Sequence, residues 1–239
     1  MATFWHPNLQ PGPVVRIAPN ELSFASPEAA RDILAAGKGF QKTDFYAVFP
    51  PPENPDIFTE VREDVHAQKK RIAVLPYSLA SMQRLTPWIE QTGVALIKKL
   101  DDFAEKGKTC DLGDWLHFFA FDTLGEIAFS RSFGFLAEGK DVANAIRTID
   151  KSQTYNGIVG QVPWIDHLLR RNPLWQFIPW LATDNALITQ VTLKEMRKRK
   201  TKTPQMDRPD LLSQFLLASK KHNSKLSDGD VFAIVHGAM

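Results

Sequence analysis

Residues Phe119 to Leu136 read FAFDTLGEIAFSRSFGFL, an apolar stretch at helical spacing that runs into a Ser-Arg-Ser-Phe-Gly turn. The same spacing includes residues just before it. The apolar positions are Trp115, Phe118, Phe119, Leu124 and Ile127. This pattern is typical of a helix that faces a core. We predict that the helix begins at Asp114, whose carboxylate can cap the first turn, and ends before Ser132.

Helical spacing continues on the N-terminal side of this stretch. Residues from Met82 to Phe103 form a second apolar stripe, in which Pro87 is expected to kink or restart the helix. A further helix is predicted from about Arg62 to Leu75, ended by Pro76, with basic residues towards its C-terminus. The chain is therefore predicted to be mainly α.

The one strong sheet signal lies near the N-terminus. Residues Val14 to Phe24 read VVRIAPNELSF, in which β-branched residues flank a Pro-Asn turn, and this predicts a short β hairpin. Ser26 is expected to cap a helix that runs to about Ala36. No repeat or low-complexity tract divides the sequence. We therefore predict one domain over residues 1–239, mainly α with a small N-terminal β hairpin.

The composition is that of a folded chain without a dominant charge. Of 239 residues, 44% are hydrophobic and 23% charged, and the formal net charge is +2, so no bulk field favours nucleic acid as a partner. The single cysteine, Cys110, excludes an internal disulfide framework and multi-cysteine metal centres. The sequence shows no signal-peptide pattern and no apolar run of ~18 residues, so no transmembrane anchor is predicted.

Three basic residues of the helix predicted over 62–75 are candidates for a binding site. His66 and Lys70 are four residues apart and so lie one turn apart on one face, with Arg71 beside them. Such a face could hold an anionic carboxylate through charge-assisted hydrogen bonds. The alternative is a solvated basic helix end.

Three other segments allow more than one interpretation. Asp122 and Glu126 could be paired carboxylates for acid–base catalysis, or could point to solvent or bond to a neighbouring element. The cations in residues 194–202 could contact nucleic acid or an anionic membrane, or could be a solvated helix end. The uncharged residues 173–181 could form a channel lid, a membrane-touching loop or part of the core. We identify no catalytic residue and no metal-ligating set.

Four stretches carry a family resemblance in a fixed order along the chain. They are GPVVRIAPNELSF (residues 12–24), HAQKKRIA (66–73, with Tyr77 and Ser78 just beyond), FAFDTLGEIAFSRSFGFL (119–136) and LSDGDVFAIVHGA (226–238). Together they resemble the N-terminal half of a cytochrome P450 of fungal secondary metabolism. The resemblance implies a partial cytochrome P450 fold that ends at the start of the long central helix.

The resemblance also implies a haem cofactor and the residues that contact it. Lys70 occupies the position of the cation that binds a haem propionate, His66 stands where many relatives have Trp, and Arg71 is grouped with them. The loop over residues 40–58 would help to form the substrate pocket. The Trp-rich region 163–180 would cover the access channel.

Several motifs of the family are missing from residues 1–239: the Ala-Gly-x-Asp/Glu-Thr turn, the Glu-x-x-Arg motif and the cysteine loop that binds the haem iron. Cys110 is not expected to replace that ligand, because it lacks the Gly-rich loop and helix N-terminus that tune a thiolate. The chain is expected to be inactive alone. It would be a fragment or truncated form of a haem-thiolate monooxygenase, a naturally truncated inactive relative, or a non-catalytic helical interaction protein.

Partners and location follow from the same resemblance. The completed enzyme would take electrons from an NADPH-cytochrome reductase and would oxidise an apolar small molecule. It would lie on the cytoplasmic side of the endoplasmic reticulum, with peripheral membrane contact as a further expectation.

Overall fold

The computed structural model describes residues 12–35, 37–49, 54–174, 187–201, 208, 210–221 and 227–237. They fall into two compact units that divide after Lys42. The described residues are mainly helical with one small antiparallel sheet, as the sequence predicted. Within the described ranges, no helix is both long and apolar enough to cross a membrane.

In its described residues, the first unit is the predicted hairpin followed by one helix. Strand β1 (Val14–Ala18) pairs antiparallel with β2 (Glu21–Phe24), and the Arg16 guanidinium donates to the Pro19 carbonyl at 2.7 Å across the turn. Helix α1 (Pro27–Leu34) begins as predicted, because Ser26 Oγ accepts from the Ala29 N–H at 3.1 Å and proline occupies its first turn. It ends slightly earlier than expected.

The second unit contains ten described helices and two short 3₁₀ segments. The segments are Asp44–Val48 and Val142–Asn144. The helices are α2 (Glu63–Ala73), α3 (Leu79–Gln83), α4 (Thr86–Glu105), α5 (Leu112–Phe129), α6 (Phe135–Glu138), α7 (Ala145–Val159), α8 (Ile165–Leu168), α9 (Leu187–Thr201), α10 (Leu211–Lys221) and α11 (Asp228–Gly237). The expected restart at Pro87 is observed, since α3 and α4 are separate and Pro87 lies in the first turn of α4.

Helix α5 corrects one prediction about its start. The capping residue is Asp111 and not Asp114, because Asp111 Oδ1 accepts from the N–H groups of Gly113 at 2.8 Å and Asp114 at 3.3 Å. Asp114 lies in the first turn, where a negative charge suits the helix dipole. The helix ends at Phe129, and Ser130 adopts a left-handed conformation with φ of 60°.

The core consists of two clusters that α5 helps to connect. One cluster joins the C-terminal end of α5 to α2, α9, α10 and α11, with Phe129, Phe215 and Val231 among its buried members. The other joins α4, α5 and α6 through Leu96, Trp115 and Phe135. The aromatic stretch over 119–136 therefore contributes to both clusters, whereas its periodicity predicted only that its helix faces a core.

Candidate functional site

The basic residues of helix α2 lie on two different faces, one buried and one exposed. Lys69, Ile72 and Ala73 are buried, whereas Lys70 and Arg71 are exposed. Since successive residues are ~100° apart around a helix, neighbouring positions necessarily face different directions. Among the described residues, neither the Lys70 nor the Arg71 side chain makes a hydrogen bond or ion pair.

His66 lies one turn before Lys70 and is more enclosed. Its side chain is 17% exposed, and Nδ1 lies 3.8 Å from Glu63 Oε2. The structure thus keeps the predicted grouping of His66, Lys70 and Arg71 on one short helix. Lys70 and Arg71 are exposed at the C-terminal turn, where cations also suit the helix dipole.

Apolar residues follow these cations directly. Val74, Leu75 and Leu79 are exposed although they are hydrophobic. An exposed apolar strip beside unpaired cations suits a ligand that is flat and apolar with carboxylates at one edge. The chemistry of this donor set therefore fits one edge of a haem.

The inner face of α2 holds a charge that the sequence reasoning missed. Lys69 is 8% exposed, and its ammonium donates to the Pro55 carbonyl at 2.6 Å and pairs with Asp230 Oδ1 at 2.9 Å. Glu60 Oε2 lies 3.5 Å away. A signal for this burial exists, because Lys69 precedes Ile72 and Ala73 by three and four residues and so shares their apolar face.

The acceptors around Lys69 are themselves held in place. Arg62 binds Glu60 through two hydrogen bonds of 2.8 and 2.9 Å, and it lowers the pKa of that carboxyl from 4.5 to about 2. Because the pKa is lower in the folded state, the Glu60 carboxylate stabilises the fold at neutral pH, and this contribution is lost as pH falls from about 4.5 towards 2.

A Ser-x-x-Asp cap begins α11. Ser227 Oγ accepts from the Asp230 N–H at 3.1 Å, while Asp230 Oδ2 accepts from the Ser227 N–H at 2.9 Å. Burial raises the pKa of Asp230, but the hydrogen bonds from Ser227 and Lys69 outweigh burial and lower it overall. Asp230 is therefore a charged residue that both caps α11 and pairs with α2.

The far end of α11 also contacts the loop before α2. The carboxylate of Asp56 lies where a Cβ on Gly237 would be, so only glycine allows this approach. Asp56 Oδ1 accepts from the Thr59 N–H at 2.7 Å, which closes a turn. Burial lowers the pKa of His236, opposed by the Asp56 charge, and His236 Nε2 lies 3.1 Å from Thr189 Oγ1 of α9.

An aromatic group occupies the region that was predicted to be an irregular loop over 40–58. Phe45, Tyr46, Phe49 and Phe58 contact one another with ring centroids 5.2 to 6.4 Å apart. The 3₁₀ segment Asp44–Val48 gives this part of the loop regular structure. Phe45 packs so closely on the C-terminal end of α7 that a Cβ on Gly160 would lie 2.6 Å from its ring.

Two arginines hold the same segment by its backbone. The Arg170 guanidinium donates to the Val48 carbonyl and the Arg171 guanidinium to the Ala47 carbonyl. Asp166 forms ion pairs with both arginines and so orients them. Its side chain is 1% exposed and accepts a hydrogen bond from the Tyr155 hydroxyl at 2.7 Å. Arg171 Nε lies 2.8 Å from Asp166 Oδ2 as an ion pair, although its N–H does not point at that oxygen.

Asp122 and Glu126 do not form a pair of catalytic carboxylates. Asp122 accepts from the N–H groups of Gly134 at 2.8 Å, Phe135 at 3.2 Å and Leu136 at 2.9 Å. Glu126 instead pairs with Arg208, whose guanidinium also lies over the Trp88 ring. Of the interpretations above, the bond to a neighbouring element is the correct one for both acids.

The basic residues over 194–202 are not a single exposed patch. Lys194 and Arg197 are exposed, and Lys198 pairs with Glu195 at 2.9 Å. Arg199 turns inward and binds Asp210 at 2.7 Å and the Phe129 carbonyl at 2.9 Å. The side chain of Lys200 and all of Lys202 lie outside the described residues, as does most of the 173–181 stretch beyond Leu174.

Cys110 lies in the segment between α4 and α5. It is a partly buried free cysteine that packs against the cluster around Trp115. Cys110 does precede a helix N-terminus, but the first N–H groups of α5 are bound by the Asp111 carboxylate and are not directed at the thiol. The residues described here therefore fit the carboxylate edge of a haem and do not fit a ligand for its iron.

Comparison with known proteins gives a consistent result. The family described as Cytochrome P450 matches residues 9–239. The chain is 33% identical over 228 residues to "Cytochrome P450 monooxygenase mpaDE'" of Penicillium brevicompactum, covering 89% of this chain and 26% of that protein. It is 32% identical over 222 residues to "Cytochrome P450 monooxygenase cicH" of Emericella nidulans, covering 90% of this chain and 44% of that protein.

A third relative gives a similar picture. The chain is 31% identical over 226 residues to a "Cytochrome P450 monooxygenase" of Aspergillus terreus, covering 89% of this chain and 45% of that protein. The chain thus spans less than half the length of these relatives.

Proposed function

The chain belongs to the cytochrome P450 family, and from that premise we propose that it is the N-terminal half of a haem-thiolate monooxygenase of fungal secondary metabolism. The completed enzyme would insert one oxygen atom of O₂ into an apolar small molecule, with electrons from an NADPH-cytochrome reductase. The observation that carries the proposal is the family match over nearly the whole chain. The chain alone is expected to be inactive.

Within that enzyme, we assign the haem carboxylates to α2. Lys70 would donate charge-assisted hydrogen bonds to a propionate, with His66 and Arg71 beside it. The exposed strip Val74, Leu75 and Leu79 supports the assignment, since it offers apolar cover next to the charge. When bound, haem supplies the iron chemistry of the reaction. The cysteine ligand would come from residues other than 1–239.

The aromatic group over 45–58 is assigned to the substrate pocket. Four aromatic rings, each in contact with at least two of the others, form an apolar wall. Arg170 and Arg171 would keep the wall in place by their hydrogen bonds to the backbone. Apolar ligand pockets are usually formed in this way, from aromatic side chains on a largely fixed backbone.

Two alternatives are tested directly by the transcript. They are a naturally truncated inactive relative and a helical interaction protein that has kept the scaffold. We expect the transcript to continue past codon 239 and to encode Ala-Gly-x-Asp/Glu-Thr and later Phe-x-x-Gly-x-x-x-Cys-x-Gly. A stop codon at once, with neither motif downstream in any frame, would contradict the monooxygenase proposal.

Carbon monoxide spectra give the matching biochemical readout. The reduced 239-residue chain should show no thiolate-type Soret band with carbon monoxide, because Cys110 is not placed to bind iron. The chain joined to the sequence encoded downstream should show that band. A thiolate spectrum from the short chain alone would make the assignment of Cys110 wrong.

We also propose a peripheral membrane contact on the cytoplasmic side of the endoplasmic reticulum. Its support is a set of exposed apolar side chains at the end of α7 and after it. Ile158, Trp164, Leu168 and Leu174 each expose more than 60% of their surface. Tryptophan beside aliphatic residues is typical of interfacial segments.

Flotation with phospholipid vesicles tests this contact. In the completed enzyme, Trp164→Asp with Leu168→Asp should reduce the bound fraction several-fold, because charges replace apolar contacts with the lipid. The matched control is Leu112→Asp with Leu116→Asp, which alters two exposed leucines on α5 and adds the same charge. Equal loss in both variants would argue against a membrane-facing group.

A further inference from the structure

Lys69 is a buried cation whose acceptors come from two different parts of the chain. Pro55 and Glu60 belong to the loop before α2, and Asp230 belongs to the first turn of α11. A buried ammonium is strongly destabilising unless oxygen atoms replace its water. Here three oxygens lie within 3.5 Å of Lys69 Nζ. The lysine is therefore fixed in one position by both neighbours.

Both carboxylates near Lys69 also accept hydrogen bonds from other residues, so neither needs Lys69 as its sole partner. Glu60 already has two hydrogen bonds from Arg62, and Asp230 has those from Ser227. Each carboxylate would keep partners without Lys69. What Lys69 adds is an ion pair from the buried face of α2 to α11, and no other ion pair between these two helices occurs among the described residues.

Helix geometry couples the direction of the Lys70 side chain to the ion pair between Lys69 and Asp230. Lys69 and Lys70 are adjacent, so their side chains leave the helix about 100° apart. When Lys69 is held inward by Asp230, the rotation of α2 about its axis is set, and Lys70 is directed outward. Ile72 and Ala73 fix the same rotation only by apolar contact, which is not directional.

We propose that Lys69 is a positioning residue for the haem site, and that its buried bridge between the 55–60 loop and α11 aims Lys70 at the haem carboxylate. This rests on the function proposed above, in which Lys70 binds a propionate. Lys69 itself does not touch the cofactor. It acts by orienting α2. Combined substitutions of Lys69 and Lys70 can test this role.

The test is a double-mutant cycle in the completed haem-loaded enzyme. The variants are Lys69→Met, which keeps the apolar stem and removes the charge, Lys70→Met, and both together. The rate of haem transfer to excess apomyoglobin is measured for each. We expect Lys69→Met to speed release ~5-fold and Lys70→Met ~10-fold or more, while the double variant releases haem no faster than Lys70→Met alone.

A second readout separates positioning from general loosening of the fold. Haem dimethyl ester has no free carboxylates, so Lys70 has no propionate charge to bind. With this cofactor, Lys69→Met and the unsubstituted enzyme should release at the same rate. Faster release from the variant, or additive effects in the cycle, would show that Lys69 is only structural and would overturn the proposal.

Two further variants keep the test informative. If Lys69→Met does not fold, Asp230→Asn removes the same ion pair from the α11 side and should show the same coupling to Lys70→Met. Lys69→Arg retains the charge and should restore most of the slow release. If Lys70→Met has no effect, Lys70 does not bind the propionate and the proposed function of this site is wrong. If the two effects are additive, only the positioning role of Lys69 is wrong.

Discussion

Replacing Asp122 with alanine is expected to destabilise the folded enzyme by ~3–5 kcal/mol, a large part of the ~5–15 kcal/mol that usually separates folded from unfolded protein. The carboxylate is 2% exposed and accepts from three successive backbone N–H groups at the start of α6. Charge-assisted hydrogen bonds contribute ~1.5–3 kcal/mol each, and their loss together leaves buried N–H groups without an acceptor.

Urea denaturation of the completed enzyme would measure this effect. The control is Asp114→Ala. It removes an exposed carboxylate from the first turn of α5, the helix that also carries Asp122, and should change stability little. Asp122→Asn should fall between the two, because an amide keeps one acceptor oxygen but places an N–H₂ group against backbone N–H donors. Equal midpoints for Asp122→Ala and Asp114→Ala would contradict this account.

Lys70→Glu is expected to weaken haem binding ~10- to 150-fold in the completed enzyme. The substitution replaces a charge-assisted hydrogen bond worth ~1.5–3 kcal/mol with repulsion between two carboxylates. Since every 1.4 kcal/mol is a tenfold change in affinity, the expected loss spans one to two orders of magnitude. Haem content after purification and the rate of haem loss to apomyoglobin would both report it.

The matched control for Lys70→Glu is Lys194→Glu. Lys194 is also an exposed lysine on a helix of the second unit, so the change in net charge is the same. Its haem content should equal that of the unsubstituted enzyme. If both variants lose haem equally, the cause is the charge change and not a contact made by Lys70.

Features that depend on near neighbours in sequence could be predicted from it. Ser26 caps α1, Ser227 and Asp230 cap α11, and Pro87 restarts a helix, because each involves residues within about one turn. The error at Asp111 and Asp114 is of the same local kind. Two acids three residues apart both match a capping pattern, and only the backbone conformation distinguishes them.

Contacts between distant segments could not be read in the same way. The shared face of His66 and Lys70 follows from their spacing, but the ion pair of Lys69 with Asp230 needs two helices that only the fold brings together. The same holds for Arg170 and Arg171, which bind carbonyls of a segment more than 100 residues earlier. Periodicity predicts which residues are buried, but it does not identify the partner of a buried charge.

The contact of α11 with α2 also bears on how the protein is made. During translation, Lys69 and the 55–60 loop leave the ribosome long before Asp230 is synthesised. At ~5–20 residues per second, that interval is on the order of ten seconds or more. Throughout it, the lysine that later becomes buried has no partner on α11 and stays in water. The contact between α2 and α11 therefore forms only after α11 has been synthesised.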